Sequence, residues 1–301
     1  MAIGNSDLVS SEAANAELKQ QVVNHPDKHQ RQNYTSVLRK GPYQFCEDTY
    51  FGSGGYIDAR YLIPYDRELF YDGRRELAFL KNYYQSIVRA MIDPVFNDPI
   101  KREVKVGGTV KQEGYFINGF LLNADNAGMD LQAFIDETIT FAEIHGVTFV
   151  VVDNFRDSPV LKSTALEYRI FPYVYLKKAT QLQDWLCDNC GNVIWIMFIE
   201  DSVKDAQGVA QPRFSKWTTT TYEILTTNEK KEYIVLESYT HGLQELPAIP
   251  VFAVKRRDRK NLKVEPGLYD IARINHAIFN KDSEVRDQER AQAFGILYAQ
   301  G

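Results

Sequence analysis

The stretch that decides the fold is Leu246-Pro247-Ala248-Ile249-Pro250-Val251-Phe252, followed after a basic loop by Pro266-Gly267-Leu268-Tyr269-Asp270-Ile271-Ala272. The two prolines of the first segment favour extended backbone and lead into an apolar run that ends at Val254. Pro266 suits the first turn of a helix, and helical periodicity then continues from Leu268 to about Ala293. The sequence therefore predicts a strand followed by a long helix.

One face of this helix is apolar for only about three turns. With Ile271 as the reference direction and roughly 100° per residue, the face also holds Leu268, Ile274, Asn275, Ile278, Asp282 and Val285. The opposite face holds Tyr269, Arg273, Asn280, Glu284, Asp287 and Ala291. Because the C-terminal half is almost wholly charged, a single chain could not bury the helix deeply. We expect packing against neighbouring copies through Leu268, Ile271, Ile274, Ile278 and Val285.

The composition is that of an ordinary folded protein. The chain has 301 residues, of which 44% are hydrophobic and 25% charged, enough for two modest domains. No apolar run approaches the roughly 18 to 20 residues of a membrane span, and the N-terminus lacks the features of a signal peptide. Three cysteines argue against a disulfide framework. We therefore expect a protein made in a cytoplasm, with no membrane partner.

The residues upstream of the long helix predict a self-sufficient body of class α+β. A helix is expected over residues 67–92, with a core-facing stripe formed by Leu77, Leu80, Tyr84, Ile87 or Val88, and Met91. A second helix should begin after the N-cap Asp130 and end at Gly146. The β-branched run that follows, residues 147–153, predicts a buried strand. Later strand-like runs at roughly ten-residue spacing predict an antiparallel meander.

Cys187-Asp188-Asn189-Cys190-Gly191 is the sharpest local motif, because it is half of a zinc knuckle. Zinc needs four ligands, and the other candidates are Cys46, His145 and His241, none of which forms a second paired motif. One alternative is therefore a zinc-stabilised nucleic-acid-binding module around Cys187 and Cys190. We prefer a hairpin turn that happens to hold two cysteines, and we assign no metal or cofactor.

Asp153 ends the predicted buried strand, a place where many α/β enzymes hold an acid. A second alternative is therefore an α/β enzyme with a site near Asp153. The chain has no Gly-rich phosphate loop and no second carboxylate or histidine motif at a recognisable spacing. We prefer a strand-terminal turn and expect a protein that is not an enzyme.

The order of these motifs resembles the portal (head-to-tail connector) proteins of tailed bacteriophages. The resemblance rests on "Leu-Pro-x-Ile-Pro-Val", the basic loop, "Pro-Gly-Leu-Tyr-Asp-Ile-Ala", the long polar helix and "Phe-Gly-Ile-Leu-Tyr-Ala-Gln-Gly". Upstream, residues 61–64 are similar to the "Tyr-Leu-x-Pro" segment of that family, and residues 95–99, Val-Phe-Asn-Asp-Pro, are similar to its "Val-Phe-x-x-x-Pro" segment with one residue fewer. The helix, glycine, buried strand and Asp153 follow the family order as well.

The resemblance implies a wing of helices packed on mixed or antiparallel sheets, followed by a stem helix that lines a DNA channel. The expected divisions are an N-terminal flexible arm (1–30), a wing domain (31–262), the stem helix (263–293) and the start of the clip (294–301). Family members are usually longer, so we expect the clip, a return helix and the inner tunnel elements to follow Gly301. A chain of this length is then expected to assemble poorly.

Twelve copies would form a ring at one capsid vertex of the virion, assembled in the host cytoplasm. The implied partners are capsid protein, the large terminase subunit, a head-tail adaptor and double-stranded DNA that passes through without sequence specificity. The channel candidates are Arg273, Asn280, Glu284 and Asp287. A net charge of −5 suits a channel that avoids strong phosphate contacts.

Overall fold

The computed structural model describes residues 41–64, 68, 71–98, 100, 105–106, 109–110, 115–154, 172–188, 192–204, 210–228, 232–241, 243, 248–257, 262 and 264–298. The expected N-terminal arm, residues 1–30, lies outside these ranges.

The described residues form six α-helices and ten strands. The helices are α1 (Pro42–Phe51), α2 (Tyr71–Leu77), α3 (Tyr83–Ile92), α4 (Tyr115–Leu122), α5 (Leu131–His145) and α6 (Tyr269–Tyr298). The strands are β1 (Lys105–Val106), β2 (Thr109–Val110), β3 (Val147–Asp153), β4 (Tyr173–Lys178), β5 (Leu182–Cys187), β6 (Val193–Lys204), β7 (Ala210–Thr218), β8 (Thr221–Thr227), β9 (Tyr233–Thr240) and β10 (Val251–Lys255). Single 3-10 turns occupy Gly54–Tyr56, Asp93–Phe96 and Ala179–Gln181.

All strand pairs of the described sheets are antiparallel. A three-stranded sheet has the order β10-β3-β4, and a five-stranded meander runs from β5 to β9 in chain order. The pair β1-β2 is a separate short hairpin. These sheets confirm the α+β class and the predicted meander.

The inner face of β3 packs against the five-stranded sheet. Val147, Phe149 and Val151 alternate along β3 and are fully buried, as a strand with period two requires. The Phe149 ring lies 5.3 Å from the ring of Phe198 on β6, and Trp217 of β7 belongs to the same buried cluster. The main core therefore lies between the two sheets.

The outer face of β3 packs against α5 and completes a third layer. Val150 and Val152 contact the cluster that contains Phe134 of α5. As predicted, α5 begins at Asp130, whose side chain accepts a hydrogen bond from the Ala133 amide (2.8 Å). It ends at Gly146, where φ is +80° and a β-carbon would lie 2.6 Å from the Glu265 carbonyl oxygen. This close approach joins the α5–β3 turn to the chain entering α6.

The predicted helix over residues 67–92 is wrong, because the chain forms α2 and α3 with a non-helical segment, residues 78–82, between them. Asn82 starts α3 by accepting a hydrogen bond from the Gln85 amide (2.9 Å), which favours a new helix over a continuous one. The buried residues of α3 are Tyr84, Val88 and Ile92. Leu77, Ile87 and Met91 of the predicted stripe are exposed instead.

Candidate assembly and channel helix

The long helix α6 spans 30 residues, or about 45 Å. It continues to Tyr298, so the expected break after residue 293 is absent. No helix in the part of the chain that the structure describes is both long and apolar enough to cross a membrane. Every side chain from Gln288 to Ala293 is exposed. The N-terminal half of α6 is therefore bound to the body, whereas this later stretch is surrounded by solvent.

The buried line of α6 consists of Leu268, just before the helix, and Ala272, Asn275, Phe279 and Ser283. The Phe279 ring lies 5.2 Å from the ring of Tyr56. Leu268 and Ala272 belong instead to the helical cluster of α1, α3 and α5. Leu268 is therefore enclosed within its own chain, which corrects the expectation that it packs against a neighbouring copy.

Asn275 supplies hydrogen-bond acceptors to the start of another helix. Its Oδ1 accepts from the amides of Tyr83 (2.9 Å) and Tyr84 (3.1 Å), the first two residues of α3. The first N–H groups of a helix have no partner within the helix. The Asn275 side chain is therefore buried because its amide oxygen binds these two backbone amides. Helical periodicity alone did not predict these hydrogen bonds.

Asn280 holds the loop that precedes α2. Its Oδ1 accepts from the Ile63 amide (2.8 Å), and its Nδ2 donates to the Tyr61 carbonyl (3.1 Å). The Nε2 atom of His276 lies 2.6 Å from the same Tyr61 carbonyl. Asn280 was predicted to face the DNA channel. This prediction is corrected, because both ends of the buried amide bind backbone of the same chain.

A buried arginine attaches α2 to α6. The Arg74 guanidinium makes two contacts with the Glu68 carboxylate (2.6 and 2.8 Å) and donates to Ser283 Oγ (2.9 Å). It also donates to the Ile63 carbonyl (2.7 Å). Removing only one partner of such a buried, hydrogen-bonded ion pair would strongly destabilise the fold, because the other charge would stay buried without a partner. No local sequence pattern predicted this set of contacts, because Arg74 and Ser283 are 209 residues apart along the chain.

The other predicted channel residues lie at the surface of α6. Arg273 is exposed, and its guanidinium carbon lies 5.9 Å from the Tyr269 ring centre. Glu284 is half-buried and accepts a hydrogen bond from exposed Lys281 (2.6 Å). Asp287 is half-buried. Their role in a channel stays a prediction.

The remaining residues predicted to pack between copies divide into two groups. Ile271 is half-buried against the helical cluster of its own chain. Ile274, Ile278 and Val285 are exposed large hydrophobic side chains, so they are available to a second molecule.

A buried histidine joins the helices to the three-stranded sheet. His145 is fully buried, and its ring stacks on Phe141 at a centroid distance of 5.6 Å. Its Nε2 lies 3.3 Å from Glu47 Oε2 on α1, and the other Glu47 oxygen accepts from Lys178 Nζ on β4 (2.6 Å). Burial lowers the pKa of His145, although Glu47 opposes the shift. Burial alone would raise the pKa of Glu47, but the contacts with His145 and Lys178 outweigh it and lower that pKa.

The candidate zinc ligands lie in different surroundings. Burial raises the pKa of the Cys46 thiol to about 12, which opposes formation of the thiolate that zinc binds. His241 is buried beside Trp217, and its Nε2 lies 3.2 Å from the Thr218 carbonyl oxygen. Among the described residues, no three His, Cys, Asp or Glu side chains are grouped to hold a metal. Cys190 lies outside those residues.

The Cys187 turn connects β5 and β6. The Asp188 amide donates to the Asn192 carbonyl (2.8 Å), and the Asn192 amide donates to Asp188 Oδ1 (2.7 Å). These bonds are typical of a hairpin end, in which an aspartate side chain binds nearby backbone.

Asp153 lies at the end of β3. Its two carboxylate oxygens accept from Tyr173 Oη (3.3 Å) and from the Asn154 amide (2.8 Å). These contacts are typical of a strand-terminal turn. That the protein is not an enzyme stays a prediction.

A polar group farther along β4 joins the two sheets. Lys177 Nζ donates to Glu200 Oε2 (2.6 Å), and the hydroxyl of Ser215 donates to the other oxygen of Glu200. Ser215 is fully buried. Lys177 therefore links the two sheets through Glu200, and the buried Ser215 hydroxyl, which binds the same carboxylate within the five-stranded sheet, is not an accessible nucleophile.

Comparison with known proteins leaves the family open. No protein-family model matches this chain, and no curated protein matches it.

Proposed function

We propose that this chain is a portal subunit of a tailed bacteriophage, which assembles into a ring around a DNA channel. The observation that carries the proposal is α6, a 30-residue helix at the C-terminal end of an α+β body. Its N-terminal half is fixed to the body by buried residues, and its side chains from 288 to 293 are exposed. A helical stretch that is exposed on all sides, as residues 288–293 are, needs an environment other than a core.

In this proposal α6 acts as the wall of a passive channel and not as a motor. Duplex DNA binds proteins chiefly through its phosphates, and each strong contact slows movement. The outward residues Glu284 and Asp287 would repel phosphate, while Arg273 would supply an occasional attraction. The chain would perform no chemical step. Capsid protein, the large terminase subunit and a head-tail adaptor would be its partners.

The size and shape of the assembled protein test this proposal. Because a chain of this length is expected to assemble poorly, we expect light scattering to give a mass many times that of one copy only at high protein concentration. Electron microscopy should show rings with a central channel and rotational symmetry. A chain that stays monomeric or dimeric at every concentration would overturn the proposed function.

A further inference from the structure

An exposed apolar surface runs along one side of α6. Ile274, Ile278 and Val285 fall within about 40° of one another around the helix axis. Phe79 lies between α2 and α3, Tyr83 begins α3, and both are attached to α6. The Arg286 guanidinium lies 3.6 Å from the Phe79 ring centre, and the Tyr83 amide donates to Asn275.

We name these five residues the isoleucine flank: Ile274, Ile278, Val285, Phe79 and Tyr83. They are between 37% and 60% exposed. The part of the chain that the structure describes therefore leaves the flank uncovered, although the same helix buries Phe279 and Ala272 on its inner side.

A second apolar surface lies on the other side of α6. The Ile63 amide donates to Asn280, which fixes the loop before α2 against the helix. Asn280 and His276 are on the side of the buried line opposite to the isoleucine flank. Ile57 and Ile63 of this loop are 79% and 60% exposed. We name these two residues the loop flank.

We propose that the isoleucine flank of one copy packs on the loop flank of the next copy, in a head-to-tail contact. This inference rests on the proposed function and specifies which surfaces hold the ring together. A ring needs two different, complementary surfaces on each subunit, whereas a two-fold dimer uses one surface twice. The two flanks meet that requirement because they lie on opposite sides of one helix.

The exposed areas favour a second copy over another occupant. Taking about 200 Å² for a fully exposed side chain of this size, the isoleucine flank exposes roughly 500 Å² and the loop flank roughly 280 Å². A stable interface buries about 800 Å² per partner, and just over half of it is apolar. A head-to-tail contact covers both flanks of every copy. A two-fold contact through the isoleucine flank would leave the loop flank in water.

Cross-linking of single-cysteine variants tests the contact. Ile278→Cys and Ile63→Cys are made separately, each with Cys187→Ser and Cys190→Ser, since Cys46 is fully buried. A short bifunctional maleimide should link the two variants only when they are mixed. The double variant Ile63→Cys/Ile278→Cys should give a ladder of multimers. Light scattering on the same samples reports whether oligomers are present.

Each result is decisive. Links within the Ile278→Cys sample alone would indicate a two-fold contact and overturn the inference. Oligomers without links between the two variants would overturn it and leave the proposed ring intact. A chain that is monomeric at every concentration would overturn both.

A charge substitution gives an independent measurement. Ile278→Lys should weaken self-association at least about tenfold, because a lysine would be buried at the contact. The matched control is Ile234→Lys on β9, where the isoleucine is also exposed. Equal association by the two variants would contradict the inference. Circular dichroism checks that both variants are folded.

Discussion

His145 is the residue whose protonation should control the stability of the fold. Burial lowers its pKa in the folded chain below the ordinary value of 6.5. The unfolded chain therefore takes up a proton first as the pH falls, and the folded state loses stability below about pH 6.5. The pKa of Glu47 is lowered too, so its contribution is present above its ordinary value of 4.5 and is lost below it.

Replacing His145 by glutamine should flatten this pH dependence. Between about pH 6.5 and 5, the free energy of unfolding of the unmodified chain should fall by up to about 1.4 kcal/mol per pH unit more than that of His145→Gln. Urea denaturation followed by circular dichroism at several pH values measures both slopes. Equal slopes would show that His145 does not gain its proton on unfolding.

At the scale of elements, Asn275 of α6 is needed for the start of α3. Asn275→Ala would leave the buried Tyr84 amide without this acceptor, whereas the part-buried Tyr83 amide keeps the Lys81 carbonyl (3.0 Å). The expected loss in the free energy of unfolding is about 1–3 kcal/mol, the cost of one unmet buried donor. Urea denaturation measures the loss.

The matched control for this change is Gln288→Ala on the exposed part of the same helix. Surface substitutions of this kind usually alter stability by less than about 0.5 kcal/mol. A similar small effect for Asn275→Ala would mean that the α3 amides find other partners, and that α6 is held by Phe279 and its apolar neighbours alone.

Local sequence predicted the elements whose ends and faces depend on nearby residues. The N-cap Asp130, the positive φ at Gly146 and the β-branched run of β3 each act within a few residues, and the structure contains all three. The break between α2 and α3 was missed. It depends on the side chain of Asn82 competing with a continuous helix.

The buried side of α6 could not be predicted from periodicity. The pattern of apolar residues placed Leu268 on the same side as Ile274 and Val285, but the structure buries Leu268 in its own chain and exposes the other two. Asn275 and Asn280 are buried because they bind backbone about 190 and 217 residues earlier in the chain. Some polar residues are buried because they bind residues that are far away in the sequence. The local pattern of hydrophobic residues cannot identify them.

At the scale of the whole molecule, the charge of α6 should decide how the assembly treats DNA. Glu284→Lys/Asp287→Lys changes the charge on each copy by four units, from the net −5 of the chain. Each added phosphate contact steepens the dependence of log K on log salt by about 0.9. We expect tighter, more salt-dependent binding of duplex DNA and impaired packaging, with ring formation retained.

A second variant tests whether the position of the added positive charges matters or only their number. Asp98→Lys/Asp201→Lys makes the same change in net charge at exposed positions of the body. Fluorescence anisotropy of a labelled duplex over a range of salt concentrations compares the two variants. Glu284→Lys also places a lysine three residues from Lys281, but like charges at that spacing cost only about 0.2–0.5 kcal/mol in the helix. If both variants bind DNA equally, or if packaging by Glu284→Lys/Asp287→Lys is normal, the acidic residues of α6 do not keep DNA sliding.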